Sequence, residues 1–141
     1  TKDKASRMMG AEDVVKAIGY VGAVPLVASN QVIKREPKVV QRFVNAWVKG
    51  LAYIRQDPDD AARILQVFFH RQGVTVSTET AREWVRMSQY DLYSWTKQAV
   101  ADAEYNGWGL QAGGILKAAP KLNGLVDNRF ADQAVKTVGL R

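Results

Sequence analysis

The feature that most constrains the fold is a lone β-type segment in a chain whose other regular segments have helical patterns. Gly19–Ala28 is rich in β-branched and small residues and contains Pro25. It predicts one strand, with the proline at an edge or a bulge. A single strand cannot pair its own backbone N–H and C=O groups, so we expect its partner strands to lie in sequence outside this chain. The alternative is an extended segment buried in an all-helical bundle.

The remainder of the chain predicts helices. Residues 1–18 form a polar lead-in that contains a short helix, Met8–Ala17, and Ser29 caps a short turn through Ile33. From residue 37 to residue 141, apolar residues recur at helical spacing in five segments. We therefore expect an α-rich α/β fragment with about five helices and one or two strands. The five helical segments span about 37–56, 58–72, 77–92, 96–112 and 128–138.

Capping residues mark the ends of these segments. Asp57 stands before Pro58, a proline of the kind tolerated in a first helical turn, and Asp59 and Asp60 place negative charge at the positive end of that helix. Glycines stop helices because they adopt the left-handed conformation at little cost. The remaining boundary signals are Gly73, Ser77, Thr96, Gly113, Gly114, Asp127 and Gly139.

Composition excludes several classes of protein. The chain has 141 residues, 24% of them charged, and a formal net charge of +6. It contains no Cys, which excludes disulfides and thiolate chemistry. No apolar run approaches the roughly 20 residues of a membrane-spanning helix. The start, Thr1–Lys4, lacks the features of a signal peptide, so we expect a mature, trimmed or fragmentary chain.

Motifs for enzyme chemistry fail on inspection, and we predict no catalytic residue, no metal site and no cofactor. Gly107–Ala112 matches a dinucleotide fingerprint, but a helical segment precedes it instead of the required strand. Asp102 begins a partial match to a calcium loop, whose twelfth position should be Glu and is Gly113. The single histidine, His70, is expected near a helix end, where an imidazolium is favourable.

A basic stretch accompanies the first long helix. Lys38, Arg42 and Lys49 fall opposite Phe43 and Trp47 on a helical projection. We predict a solvated outer face, and a contact patch for phosphate or a partner stays open as the alternative. A nucleic-acid module would interleave exposed aromatic residues with the cations. The aromatic residues of this helix are expected to be used in packing, as is Trp84 further along the chain, so no nucleic acid is predicted as a partner.

The helical part resembles the C-terminal lobe of nitrate/sulfonate/taurine-type solute-binding proteins, a group that includes the thiamine-precursor receptors. The resemblance spans about Ala23–Leu140 and consists of packing and capping patterns in a fixed order. The residues that carry it are Pro37, Val39, Val40, Phe43, Ala46, Gly50 and Tyr53, then Asp57–Ala62, Ile64 and Leu65, with Val24–Ser29 before them and Gly114–Leu116, Leu125–Asp127, Arg129, Phe130 and Ala134 after them. Gly50 departs from the pattern, because Ala is common there.

The resemblance implies that residues 1–141 are one C-terminal segment of a two-lobed periplasmic binding protein, the receptor of an ABC importer. Its implied partners are a small-molecule ligand and the cognate ABC permease in the membrane, and its implied location is the periplasm. Tyr20 is the one ligand-binding residue that can be carried over, because in such proteins this strand returns between the lobes near the cleft. The alternative role for Tyr20 is to cap the strand end.

Three functions remain open at this stage. The first is non-enzymatic capture of a small anion, such as nitrate, a sulfonate or taurine, or of a thiamine pyrimidine precursor. The second follows a related enzyme family that makes the thiamine pyrimidine from its own cofactor and a histidine, but His70 matches no such pattern. The third is a stand-alone helical protein-interaction module without a transport role. An isolated lobe fragment would expose apolar surface, so we also expect a possible homo-oligomer.

Overall fold

A computed structural model describes residues 25–88, 90 and 93–140, and within them the regular structure is helical. These described residues divide into two compact units, one that contains residues 25–26 and 95–126 and one that contains residues 27–88, 90, 93–94 and 127–140. The described part of the first unit contains α5. The second unit contains the other five helices. The helices are α1 (Asn30–Arg35), α2 (Pro37–Gln56), α3 (Pro58–Arg71), α4 (Thr78–Met87), α5 (Lys97–Ala112) and α6 (Arg129–Val138).

In the second unit, α2 packs mainly against α6. The contact uses small side chains, and Val48, Ala52 and Ala134 are buried. The side-chain amide of Gln41 donates to the Phe130 carbonyl at 2.9 Å and to Asn45 Oδ1 at 2.8 Å. This partly buried amide therefore links the start of α2 to the start of α6, although Gln41 and Phe130 are 89 residues apart in the sequence.

The other helix pair of this unit is α3 and α4, which pack closely on each other. Their core is formed by Ala61, Ala62, Ala81 and Val85, and Ala62 and Ala81 are completely buried. Alanines on both sides let the two backbones approach closely. The partly buried side chains of Ile54, Leu65, Val76 and Tyr90 surround this core.

Side-chain caps begin α1, α3, α4 and α5 as the sequence predicts. The expected cap of α6, Asp127, lies one residue before the N-cap Asn128 and accepts from the Arg129 N–H at 3.2 Å. Ser29 Oγ accepts from the Val32 N–H at 3.2 Å, and Asp57 Oδ1 accepts from the Asp60 N–H at 2.9 Å. Ser77 and Thr96 cap α4 and α5 in the same way. Gly139 ends α6 with φ of 74°, in the left-handed region. The turn expected after Ser29 is itself a short helix, α1.

The predicted strand is not confirmed. Gly19–Val24 lie outside the described residues, as does the expected helix Met8–Ala17. Pro25–Ala28, the end of the segment that the structure describes, has no regular secondary structure. The physical reason is that a strand needs a neighbouring strand to pair its backbone N–H and C=O groups. Among the described residues there is no such strand.

The helix expected over 77–92 is shorter than predicted. It ends at Met87, and Ser88 has extended backbone with ψ of 144°. The Ser88 hydroxyl donates to the Trp84 carbonyl at 3.1 Å, which satisfies one of the carbonyls at the end of the helix. The helix signal beyond this point came from Leu92, which lies outside the described residues.

In the first unit, α5 is held against the irregular segment 113–126 by two contacts. Glu104 Oε1 accepts from the Leu122 N–H at 2.7 Å. Gly107 is buried, and a Cβ at this position would overlap the ring of Pro120. Glycine is therefore required at this position by the close approach of the proline.

Substituting the two glycines of α5 separately tests this packing. Gly107→Ala should lower the free energy of unfolding by about 1–3 kcal/mol, because the new methyl group overlaps the Pro120 ring. Gly109→Ala is the matched control, since nothing lies within 4 Å of a Cβ there. It should stabilise the helix by up to about 1 kcal/mol. Urea denaturation followed by circular dichroism measures both, and equal effects would contradict the packing argument.

Candidate functional site

The residue predicted from the sequence to contact ligand, Tyr20, lies outside the described residues. The candidate sites that can be built from the structure are therefore three features of the second unit. These are the polar junction between α2 and α3, a cleft near the ends of α2 and α6, and the outer surface of α2.

The junction between α2 and α3 is organised by Asp60. The Tyr53 hydroxyl donates to Asp60 Oδ2 across the turn, and Arg63 donates to Asp60 Oδ1 from Nε at 2.8 Å and from Nη2 at 2.6 Å. The Asp60 N–H is in turn capped by Asp57. Asp59 completes the local charge pairing by accepting from Arg82 Nε at 2.8 Å. These contacts fix the angle at which α3 leaves α2.

Ionisation at the junction follows from these hydrogen bonds. The Tyr53 hydroxyl, with help from Arg63, holds the pKa of the Asp60 carboxyl below its usual value. The same hydrogen bond to a carboxylate raises the pKa of Tyr53 above its ordinary value. Both groups are therefore in their ordinary neutral-pH forms, carboxylate and phenol. The arrangement is typical of a structural clamp, and it supplies no acid–base pair poised near neutral pH.

A cleft of about 450 Å³ lies where α2 and α6 end. Its polar lining includes Arg55, Gln56 and Tyr93, and Arg55 Nη1 donates to the Tyr93 hydroxyl at 3.0 Å. Its remaining lining residues are Ala52, Gly139 and Leu140. Sequence reasoning missed this cleft, because Arg55 and Tyr93 are 38 residues apart and no local pattern links them.

The outer surface of α2 corrects one sequence prediction. Trp47 and Trp84 were expected in the core, but they are 42% and 41% exposed, and Phe43 is 59% exposed. The apolar stripe of α2 is wider than the area that α6 covers, so only the face that contains Val48 and Ala52 is buried. Trp84 is half-covered by an edge-on contact with Phe69, with ring centroids 5.4 Å apart. The cations Lys38, Arg42 and Lys49 are exposed, as predicted.

The described residues contain neither a metal-binding cluster nor a membrane-spanning helix. Within residues 25–88, 90 and 93–140, no group of three or more His, Cys, Asp or Glu side chains is placed to hold a metal ion. Over the same part of the chain, no helix is both long enough and apolar enough to cross a membrane.

Comparison with known proteins supports the family resemblance. A family model described as NMT1/THI5 like matches residues 4–61. The resemblance drawn from the sequence is confirmed over this segment. The match takes in α1, α2 and the first residues of α3, which is fewer than half of the 141 residues. No curated protein and no solved structure matches the chain. The similarities noted beyond residue 61 stay predictions.

The Asp60 clamp makes a pH-dependent contribution to stability. The pKa of the Asp60 carboxyl is lower in the folded protein than in the unfolded chain, where it is near 3.8. The contribution is therefore fully present above the unfolded pKa and is lost as pH falls through the folded pKa. Asp60→Asn should therefore lower the urea midpoint at neutral pH, and the difference from the unsubstituted protein should shrink below about pH 4. Tyr53→Phe should reduce the pH dependence in part, and identical midpoints for Asp60→Asn and the parent at neutral pH would contradict the clamp.

Proposed function

We propose that this chain is part of an extracytoplasmic solute-binding protein that delivers a small molecule to an ABC importer. The observation that carries the proposal is the NMT1/THI5-like match over residues 4–61. The described part of that segment contains the patterns on which the resemblance was first based. They are the proline that opens α2, the apolar residues along it, and the Asp57–Pro58 junction with α3.

The structure of the matched segment is compatible with a receptor that binds without chemistry. Its polar residues at the α2–α3 junction are used to cap a helix and to fix its direction. His70, the single histidine, is exposed in the last turn of α3, at a helix end where basic side chains are common. We accordingly propose binding and transport as the role of the chain, with no enzymatic step.

The proposed ligand is a small anion, such as nitrate, taurine or another sulfonate, or a thiamine pyrimidine precursor. A net charge of +6 favours the approach of anions. The ligand would contact residues of both lobes, and Tyr20 is proposed as one of them. The proposed partner is an ABC permease and the proposed location is the periplasm, since both follow from the role of a receptor.

Ligand binding tests this function. The experiment uses the product of the complete reading frame that encodes the chain and measures thermal unfolding with nitrate, taurine, an alkanesulfonate and the pyrimidine precursor. One compound at a hundredfold excess over its Kd should stabilise the protein by about 2.7 kcal/mol. That corresponds to an increase in Tm of roughly 5 °C for a two-lobed protein of 250 residues or more. Tyr20→Ala should weaken binding of that compound.

Tyr105→Ala is the matched control, because Tyr105 is an exposed tyrosine on α5 that the proposal does not use. It should leave affinity unchanged. If none of the four compounds shifts Tm, the proposed ligand classes are wrong. A reading frame that begins close to Thr1, with no second lobe, would instead favour the stand-alone interaction module.

Self-association of the 141-residue chain is a further expectation. The surface of α3 and α4 exposes Ile64, Phe68 and Trp84, and apolar surface of this kind drives association. Sedimentation equilibrium should therefore give a mass above 15.7 kDa that rises with concentration. Phe68→Ser should shift the equilibrium toward the monomer, while Tyr105→Ser should not. A monomer over the whole concentration range would contradict this expectation.

A further inference from the structure

The charge of α2 is one-sided. Its 20 residues include Lys38, Arg42, Lys49 and Arg55 but no Asp or Glu. Lys38 even stands in the first turn, where the helix dipole disfavours a cation. The helix dipole accounts for Arg55, in the last turn, and does not account for Lys38.

The exposed residues of α2 are sorted into two separate stripes. The basic stripe is Lys38, Arg42 and Lys49, which fall within about 40° of one another around the helix axis at 100° per residue. The apolar stripe is Val39, Phe43 and Trp47, which spans about 80° and is centred about 120° away. The third face, which contains Val48 and Ala52, is buried against α6. The basic stripe extends about 16 Å along the helix.

Both stripes are exposed to solvent. Phe43, Trp47 and Val39 are each more than 40% exposed, and the three cations are exposed as well. Within residues 25–88, 90 and 93–140, ion pairs are made by other cations, namely Arg63, Arg82 and Arg129. Two further cations, Lys34 and Arg35, stand in the last turn of α1, next to the start of α2. The residue between the two helices is an acid, Glu36.

We propose that α2 binds the surface of an anionic lipid bilayer, with its axis parallel to the membrane plane. In this arrangement the apolar stripe enters the boundary between headgroups and acyl chains, and the basic stripe contacts lipid phosphates. This division of one helix into an apolar and a cationic face is what interfacial binding requires. Clustered cations beside such a face favour acidic lipids. The contact places the protein beside the membrane and does not depend on the proposed small-molecule ligand.

The separation of the stripes favours lipid over nucleic acid. A groove for single-stranded nucleic acid places aromatic rings among the cations, so that bases stack while phosphates are neutralised. On α2 the rings of Phe43 and Trp47 share a face with the aliphatic Val39, and the cations form their own row. A bilayer offers apolar and anionic layers at different depths, which matches two adjacent stripes.

Vesicle binding by the full 141-residue chain tests the proposal. Co-sedimentation compares vesicles that contain phosphatidylglycerol with vesicles of phosphatidylcholine alone. We expect binding to the anionic vesicles only, and its loss at about 1 M salt, where charges are screened within about 3 Å. The triple variant Lys38→Gln, Arg42→Gln, Lys49→Gln should bind roughly a hundredfold more weakly, since each cation near the surface contributes about tenfold or less.

Matched variants distinguish the contribution of the two stripes to vesicle binding from the effect of charge and apolar side chains elsewhere on the surface. Lys117→Gln, Lys121→Gln, Arg71→Gln removes the same charge from exposed residues elsewhere and should bind as the parent does. Lys38→Arg, Lys49→Arg should also retain binding. Phe43→Ser, Trp47→Ser should weaken it, whereas Tyr105→Ser, Trp108→Ser should not. Circular dichroism verifies that each variant is folded.

Three results would overturn the proposal. The first is equal binding to both kinds of vesicle or to neither. The second is an equal loss in the two triple variants, which would indicate net charge alone. The third is release from anionic vesicles by a single-stranded oligonucleotide that the chain binds more tightly, which would assign the basic stripe to nucleic acid.

Discussion

Close contact through alanine is the constraint on which the described structure depends. Helices α3 and α4 meet through Ala62 and Ala81, and α2 meets α6 through Ala52 and Ala134. Small residues let the helix backbones approach closely, but they bury little apolar area and stabilise the contact by correspondingly little. The large side chains of the same helices consequently remain at the surface.

Polar contacts at the α2–α3 junction compensate for part of this thin core. The Asp57 cap and the Tyr53–Asp60 hydrogen bond act across a turn of one residue, so they help to set the direction of α3. Arg82 then links α4 back to the same junction through Asp59. The ion pairs are exposed, and each contributes little alone. Together they link α2, α3 and α4 at one junction.

Sequence reasoning found what is decided locally and missed what is decided at long range. The start of α2 at Pro37 and of α3 at Pro58 followed from proline and capping chemistry within three residues of each boundary. The exposure of Trp47 could not be found in this way, because a helical stripe does not reveal how much of it a partner covers. The Gln41–Phe130 bond and the Arg55–Tyr93 cleft join distant residues, and no spacing rule encodes them. The candidate ligand residue, Tyr20, came from family resemblance alone.

The same local contacts make the positive charge uneven over the described surface. The acids at the α2–α3 junction already have local partners. Asp57 caps α3, and Asp59 and Asp60 pair with nearby arginines. Helix α2 has no acid of its own to neutralise its cations. Four of the 20 basic residues of the chain therefore lie on one helix that has no acid, and three of them form the basic stripe, where they create a local positive potential. Because the apolar stripe and that charge lie on two faces of the same rigid helix, one helix can attract an anionic surface and also insert into it.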